Sequence, residues 1–278
     1  MKVTAFIGSA RKKHCWQAAE KFLQNLKTMG DVEYEIIRLS DYNLQICRGC
    51  KLCIEKGEQH CPLKDDRDIL IEKMRRSDGV VFAVPNYTFQ ISGLMKVFLD
   101  RLAYICHRPE FFGKTYTGIV AQGIWGGKKI AAYIDFVGSP QGFNVVKSSC
   151  IMTLEPMTEK QQKKIDRIIG KQCRDFYQQL VKNEYRRPTF FEMLMFRLGR
   201  TRIKMMLDES YRDFIFYRDK GWFESEFYYP VKITFVKKIF GDAIDSVMTK
   251  SLEKDMNGER KKKVIRESEP QKTLTAFK

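Results

Sequence analysis

Gly79-Val80-Val81-Phe82-Ala83-Val84 is apolar at every position. A strand with one wet face alternates, whereas a run like this has to be covered on both faces, as in a parallel sheet with helices above and below it. Four further strand-like runs fall at Lys2–Ile7, Val32–Leu39, Thr115–Ala121 and Asn144–Leu154. Between them lie helical periods: Trp16–Lys27 ending at Gly30, a helix capped by Asp65 and carrying Ile69, Leu70 and Met74, then Ile91–Tyr104 and Lys128–Val137. Thr158-x-x-Gln161 is a capping box opening a long helix with Ile165, Ile168, Ile169, Cys173, Phe176, Leu180 and Val181 on one stripe. Strands and helices that alternate in this way predict an α/β, doubly wound parallel sheet.

In such sheets ligands lie beyond the carboxyl ends of the strands. Three loops open there: Gly8 to Cys15, Pro85 to Gln90, and Gln122 to Gly127. The first precedes a helix, whose unpaired N–H groups with Ser9, Arg11 and His14 suit a phosphate. The second offers a proline-fixed turn with Asn86, Tyr87 and Thr88. The third, with Gln122, Gly123, Trp125 and Gly126, allows close backbone approach and supplies an indole. Together these groups match a flavin mononucleotide: a phosphate cradle, polar partners for a pyrimidine edge and flat apolar cover for the ring system. For Tyr87 and Trp125 the alternative is an ordinary aromatic in a surface loop.

Eight cysteines occur, and four crowd into the loop 43–62 as Cys47-x-x-Cys50-x-x-Cys53 followed by Cys61-Pro62. Three closely spaced thiols plus a fourth suit a [4Fe-4S] cube. Zinc with four sulfurs, or reduced unliganded thiols, are the alternatives. Cys106, Cys150 and Cys173 read as small buried hydrophobes, and His60 and His107 have no partner at metal-ligand spacing.

The run Gly8-Ser9-Ala10-Arg11, the cysteine segment followed by Asp65-Asp66, the strand ending in Pro85-Asn86-Tyr87, and Ser92-Gly93-Leu94-Met95-Lys96 leading to Asp100-Arg101 resemble the flavodoxin-like NADPH-dependent FMN reductases. The cysteine spacing resembles their iron-sulfur flavoprotein branch. The resemblance covers about residues 1–184. It implies a five-stranded flavodoxin-like sheet, non-covalent FMN, NAD(P)H as donor and a homo-oligomer. The phosphate loop is one residue shorter than the family pattern, and Cys15 stands where a hydroxyl is expected, with His14 adjacent.

The organisation expected is an FMN-binding domain at 1–184, a helical, aromatic-rich basic extension at 185–257 and a polar disordered tail at 258–278. Thr189-x-x-Glu192 is a second capping box, followed by a helix mixing Phe190, Phe191, Leu194 and Phe196 with Arg197, Arg200 and Arg202. A net charge of +16 favours anionic partners. No recognition motif points to nucleic acid, and neither a nucleophile elbow nor a Ser-His-Asp order points to acyl transfer. The chain opens directly on a strand and has no apolar run of spanning length, so a cytoplasmic location is expected.

The function expected is an FMN-dependent oxidoreductase taking hydride from NAD(P)H and passing electrons to a flavin, quinone or redox protein. No side chain is required as acid or base, because the cofactor carries that chemistry. The alternative is a non-catalytic flavin- or metal-binding redox sensor, or a peripheral membrane adaptor using the basic extension.

Overall fold

The computed structural model describes the backbone of residues 1–268 and the side chains through residue 257. Two compact units, 1–186 and 187 onward, make up the chain.

In the first unit the order is β1 (Lys2–Ile7), α1 (His14–Met29), β2 (Glu33–Arg38), α2 (Leu52–Glu55), α3 (Arg67–Arg75), β3 (Gly79–Tyr87), β4 (Gln90–Ile91), α4 (Gly93–Arg101) and α5 (Ala103–His107). It continues with β5 (Thr115–Gln122), α6 (Gly127–Gly138), β6 (Asn144–Val145), β7 (Ser149–Met152) and α7 (Glu159–Lys182). The sheet runs β2-β1-β3-β5-β6, all parallel, with β7 following β6 along the same edge of β5. β4 adds only a short antiparallel hairpin to β3.

Both faces of the sheet are covered, as the apolar β3 requires. Phe6, Phe82, Phe98, Tyr116 and Phe143 fill one face, while Val3, Ala5, Ile7, Phe22, Leu23 and Phe176 fill the other. Alternate residues of β1 therefore serve opposite layers. On the first face the rings of Phe82 and Tyr116 meet edge to face with centroids 5.1 Å apart, a preferred aromatic geometry.

Four local expectations are corrected. The fifth strand is broken between β6 and β7, because the Ser148 hydroxyl accepts the Gly118 N–H at 2.8 Å and the Ser148 N–H turns to Asp135 at 2.9 Å. Gly118 leaves room for this bulge, since a Cβ there would lie 2.7 Å from the Ser148 oxygen. The segment 91–104 divides into β4, α4 and α5, with Ser92 capping α4 through the Met95 N–H. The N-cap of α3 is Asp66; Asp65 precedes it and accepts the Arg67 N–H at 3.3 Å. The Thr158 capping box forms as expected, but Val181 is exposed while Ile165, Ile169, Cys173, Phe176 and Leu180 are buried.

The second unit comprises α8 (Phe190–Met206), α9 (Arg212–Asp219) and α10 (Phe235–Ser268). Thr189 and Glu192 form the expected capping box on α8. α10 runs through Gly258, where the sequence suggests a disordered tail, to Ser268; residues 269–278 lie outside the described residues. Met193, Phe196, Tyr217, Trp222 and Phe227 form the buried interior. Arg197 and Arg200 are buried and paired: Arg197 with Glu226, Asp242 and Asp245, and Arg200 with Asp245. Thr201 also donates to Asp245, at 2.6 Å. No helix among the described residues is long and apolar enough to cross a membrane.

Burial pushes the Asp245 carboxyl up, but the bonds from Thr201, Arg197 and Arg200 outweigh it and hold the group below the usual carboxylate range. A depressed folded value contributes stability that is complete above the unfolded value near ~3.9 and is lost as pH falls through the folded one. Asp245→Asn should cost about 2 kcal/mol at neutral pH, discounted because 21% of the side chain is exposed. It should also flatten the acid limb of a denaturant-stability profile; an unchanged profile would contradict the assignment.

Candidate flavin site

Gly8 fixes the first loop. Its N–H donates to the Ala83 carbonyl at 2.8 Å, and its own carbonyl accepts from the Ser92 hydroxyl at 2.5 Å. A Cβ at Gly8 would lie 2.9 Å from Met95 Cβ and from the Ser92 oxygen, so only glycine lets β1, β3 and the start of α4 approach this closely.

Beyond this contact lies a cleft of about 260 Å³ lined by Ser9, Arg11, Lys13, His14, Cys15, Pro85, Asn86, Tyr87, Gln122 and Gly123, with Ala121, Thr153, Leu154 and Glu155. Nine of the sequence-predicted residues therefore come together. Thr88, Trp125 and Gly126 are not among those lining the cleft. Thr88 and Phe89 form the two-residue turn between β3 and β4, both at positive φ, which non-glycine residues rarely adopt. Trp125 is 65% exposed and its ring lies 4.8 Å from that of Phe89. Gly126, at φ +93, is the N-cap of α6. Asn86 Nδ2 joins the two loops by donating to the Trp125 carbonyl at 3.0 Å.

Three features suit an anionic, hydrogen-bonding ligand. The N-terminus of α1 has no side-chain cap and no acidic residue in its first turn, while Arg11 and Lys13 stand beside it. Ser9 is buried, and its hydroxyl accepts the Arg11 N–H at 3.3 Å, which shapes the turn. Asn86 Oδ1 is buried without a protein partner, a position that calls for a donor. His14, by contrast, engages Glu155, with Nε2 3.1 Å from Oε1.

The residues missed in sequence are Lys13, Ala121, Thr153, Leu154 and Glu155. The last three follow β7, whose end is tied to β5 by the Thr153 N–H on the Gln122 carbonyl at 2.8 Å. The rule that ligands sit at carboxyl strand ends extends to this loop after β7.

The cysteine segment forms a second region. Cys47 and Cys50 are exposed, Cys53 and Cys61 half-buried, and among the described residues no group of three or more His, Cys, Asp or Glu is gathered to hold a metal ion. The chain turns sharply between the first thiols, with Gly49 at φ +65 and Lys51 at φ +60. Three buried arginines that sequence reasoning left as structural or unnoticed hold the loop. Arg101 pairs with Asp65 at 2.9 Å and reaches Cys61 Sγ at 3.5 Å, Arg108 donates to the Cys53 carbonyl at 2.7 Å, and Arg67 donates to the Glu58 carbonyl at 3.0 Å.

The fold defines a flavodoxin-like protein, with a cleft of about 260 Å³ at the carboxyl edge of its sheet. Residues 1–153, more than half of the chain, match the NADPH-dependent FMN reductase family, and the chain belongs to that family. It is 34% identical over 140 residues to an iron-sulfur flavoprotein of Archaeoglobus fulgidus, covering 49% of this chain and 62% of that relative. Against an iron-sulfur flavoprotein of Clostridioides difficile the identity is 29% over 180 residues, covering 62% and 77%. The chain spans less than two thirds of the length of that Archaeoglobus protein. Among solved structures, RosB with bound 8-demethyl-8-formylriboflavin-5'-phosphate shares the fold at a TM-score of 0.53 and 14% identity, covering 84% of this chain and 92% of that one. A flavone reductase does so at 0.51 and 15%, covering 67% and 66%.

Burial pushes the Cys15 thiol up to about 12, against the smaller opposing effects of a backbone hydrogen bond at Ala121 and the charge of Arg11. The reactive species is the thiolate, so in protein stripped of any bound metal Cys15 should resist iodoacetamide at mildly alkaline pH while exposed Cys47 and Cys50 are modified, as read by peptide mass spectrometry. Labelling of native Cys15 at the rate of those two would contradict its protonated, buried state.

Proposed function

We propose that this protein binds FMN in the cleft at the carboxyl edge of the sheet and works as an NAD(P)H-dependent flavin oxidoreductase. The observation that carries this reading is the uncapped N-terminus of α1 beside Arg11 and Lys13, joined in one cleft to the orphaned carbonyl of Asn86. When bound, FMN supplies the hydride-accepting redox chemistry.

The chain's own residues bind and orient. The N–H groups at the start of α1, with Arg11 and Lys13, hold the phosphate. Asn86 and Gln122 provide polar partners for the ring system, and Tyr87 provides flat cover. The Gly8 contact keeps the first two of these loops at a fixed separation, so the ligand meets a preorganised surface. At about 260 Å³ the cleft is slightly below the ~300 Å³ at which small-molecule pockets begin. A mononucleotide is therefore not wholly enclosed, which leaves one side of it open for a nicotinamide donor and then an acceptor such as a flavin or quinone.

Cys47, Cys50, Cys53 and Cys61 would carry a [4Fe-4S] cluster. In favour stand four thiols in one short segment, the guanidinium of Arg101 on Cys61 and the iron-sulfur names of the relatives. The fit is one of donor chemistry, because the four sulfurs do not converge, and no electron path is assigned through them. Anaerobic purification should yield about four iron and four sulfide per chain; zinc, or no metal, would refute the cluster while leaving the flavin site standing.

Arg11→Ala should weaken FMN binding about tenfold or more, as loss of a charge-assisted phosphate contact does. NAD(P)H oxidation at limiting FMN should fall in parallel and recover when FMN is raised. An unchanged dissociation constant, read by quenching of flavin fluorescence, would place the phosphate elsewhere.

A further inference from the structure

α10 has a buried inner face and an exposed apolar outer one. The inner one carries Gly241 and Leu252, both buried, and Asp245, which bonds to Arg197, Arg200 and Thr201. On the opposite arc stand Phe235, Val236, Ile239, Phe240, Ala243 and Val247, all exposed, with Phe235 at 77% and Val247 at 69%. At 3.6 residues per turn these six fall within an arc of roughly 140° and along about 18 Å of helix. Phe190 of α8 widens the stripe, its ring meeting that of Phe240 edge to face at 5.6 Å. An ordinary surface helix puts polar residues where α10 has this stripe.

Charge on the helix is segregated through residue 250, beyond which exposed Glu253 and Asp255 flank Lys254. Between residues 235 and 250 the acids are Asp242 and Asp245, and Arg197 binds both. The outer ridge Ala243–Val247 continues in exposed Lys250 and Lys254. Arg260-Lys261-Lys262-Lys263 follows in the sequence of the same helix.

We infer that the outer face of α10 docks on an anionic lipid bilayer. Its phenylalanine and aliphatic side chains enter the headgroup–acyl boundary and its lysines meet lipid phosphates. Stable attachment of this kind takes two signals, an apolar face and a basic cluster, and both lie on this one helix. Arg197 and Arg200 of α8 play no part, being used inside the unit. A second copy of the chain fits less well. A stripe about 18 Å long and one helix diameter, about 10 Å, across offers roughly 180 Å², against the ~800 Å² per partner of a stable interface. Pairing two such helices would also bring like charges together. The inference is independent of the flavin site.

The test is flotation of the full chain with phosphatidylcholine vesicles, with and without about one third phosphatidylglycerol. Binding is expected to the anionic vesicles only and to fall as NaCl rises from about 0.1 to about 1 M, where the Debye length shrinks from about 10 to about 3 Å. Phe235→Glu with Val247→Glu, at exposed positions, should reduce the bound fraction at least about tenfold while the circular dichroism spectrum stays unchanged. Lys250→Glu with Lys254→Glu should do so for the anionic component. Absence of flotation, equal binding to neutral vesicles, or binding insensitive to the Phe235/Val247 pair would overturn the inference. So would a wild-type dimer by light scattering that the Phe235/Val247 pair converts to monomer without any vesicle binding, since the stripe would then belong to a second copy.

Discussion

The site depends on the absence of a side chain at Gly8. Met95 and Ser92 stand where a Cβ would be, and the Gly8 carbonyl takes the Ser92 hydroxyl that also caps α4. One residue thus couples the end of β1, the end of β3 and the start of a helix from the opposite layer. Interiors are packed too densely to absorb an extra methyl without moving backbone. The spacing of the first two ligand loops is therefore set by packing rather than by the loops' own conformations. The proposed anion site draws on that rigidity: Cys15 is buried and its thiol pushed up to about 12, so the proposed cradle relies on backbone N–H groups with Arg11 and Lys13.

Much of this was legible in the sequence because it is local. The apolar run of β3 demanded cover on both faces, and the strand ends at Gly8, Pro85 and Gln122 marked the ligand edge. The capping boxes at Thr158 and Thr189 form as written. What was not legible depends on partners distant in the chain. The break in the fifth strand comes from Ser148 competing for the Gly118 N–H, and the same strand's continuation into Thr153 and Glu155 completes the cleft. Trp125 turns to Phe89 instead of lining the cleft because the β3–β4 turn brings that ring to it. Arg101, named in the sequence only as part of the family resemblance, is tied to Asp65 and also reaches Cys61, 40 residues away in sequence.

The second unit shows how composition misleads when charges are counted without their partners. The arginines of α8 give it a basic amphipathic pattern, yet Arg197 and Arg200 lie inside, held by carboxylates of α10 and by Glu226. Buried ion pairs of this kind are costly to break and add little over apolar packing, so their consequence here is orientation. By drawing Asp245 inward they fix which face of α10 is turned outward, and that face carries aromatic and aliphatic side chains. The extension is thus a folded unit with its own interior and an outer surface of a different chemical character.

The most direct test of the central claim is anaerobic addition of NADPH or NADH to the purified, FMN-loaded protein while the flavin absorption is recorded. Bleaching of the flavin band on addition of the nicotinamide, and its return when a quinone or free flavin is supplied, is the predicted result. A protein that takes up no FMN, or one whose bound flavin stays oxidised with either nicotinamide, would contradict the account.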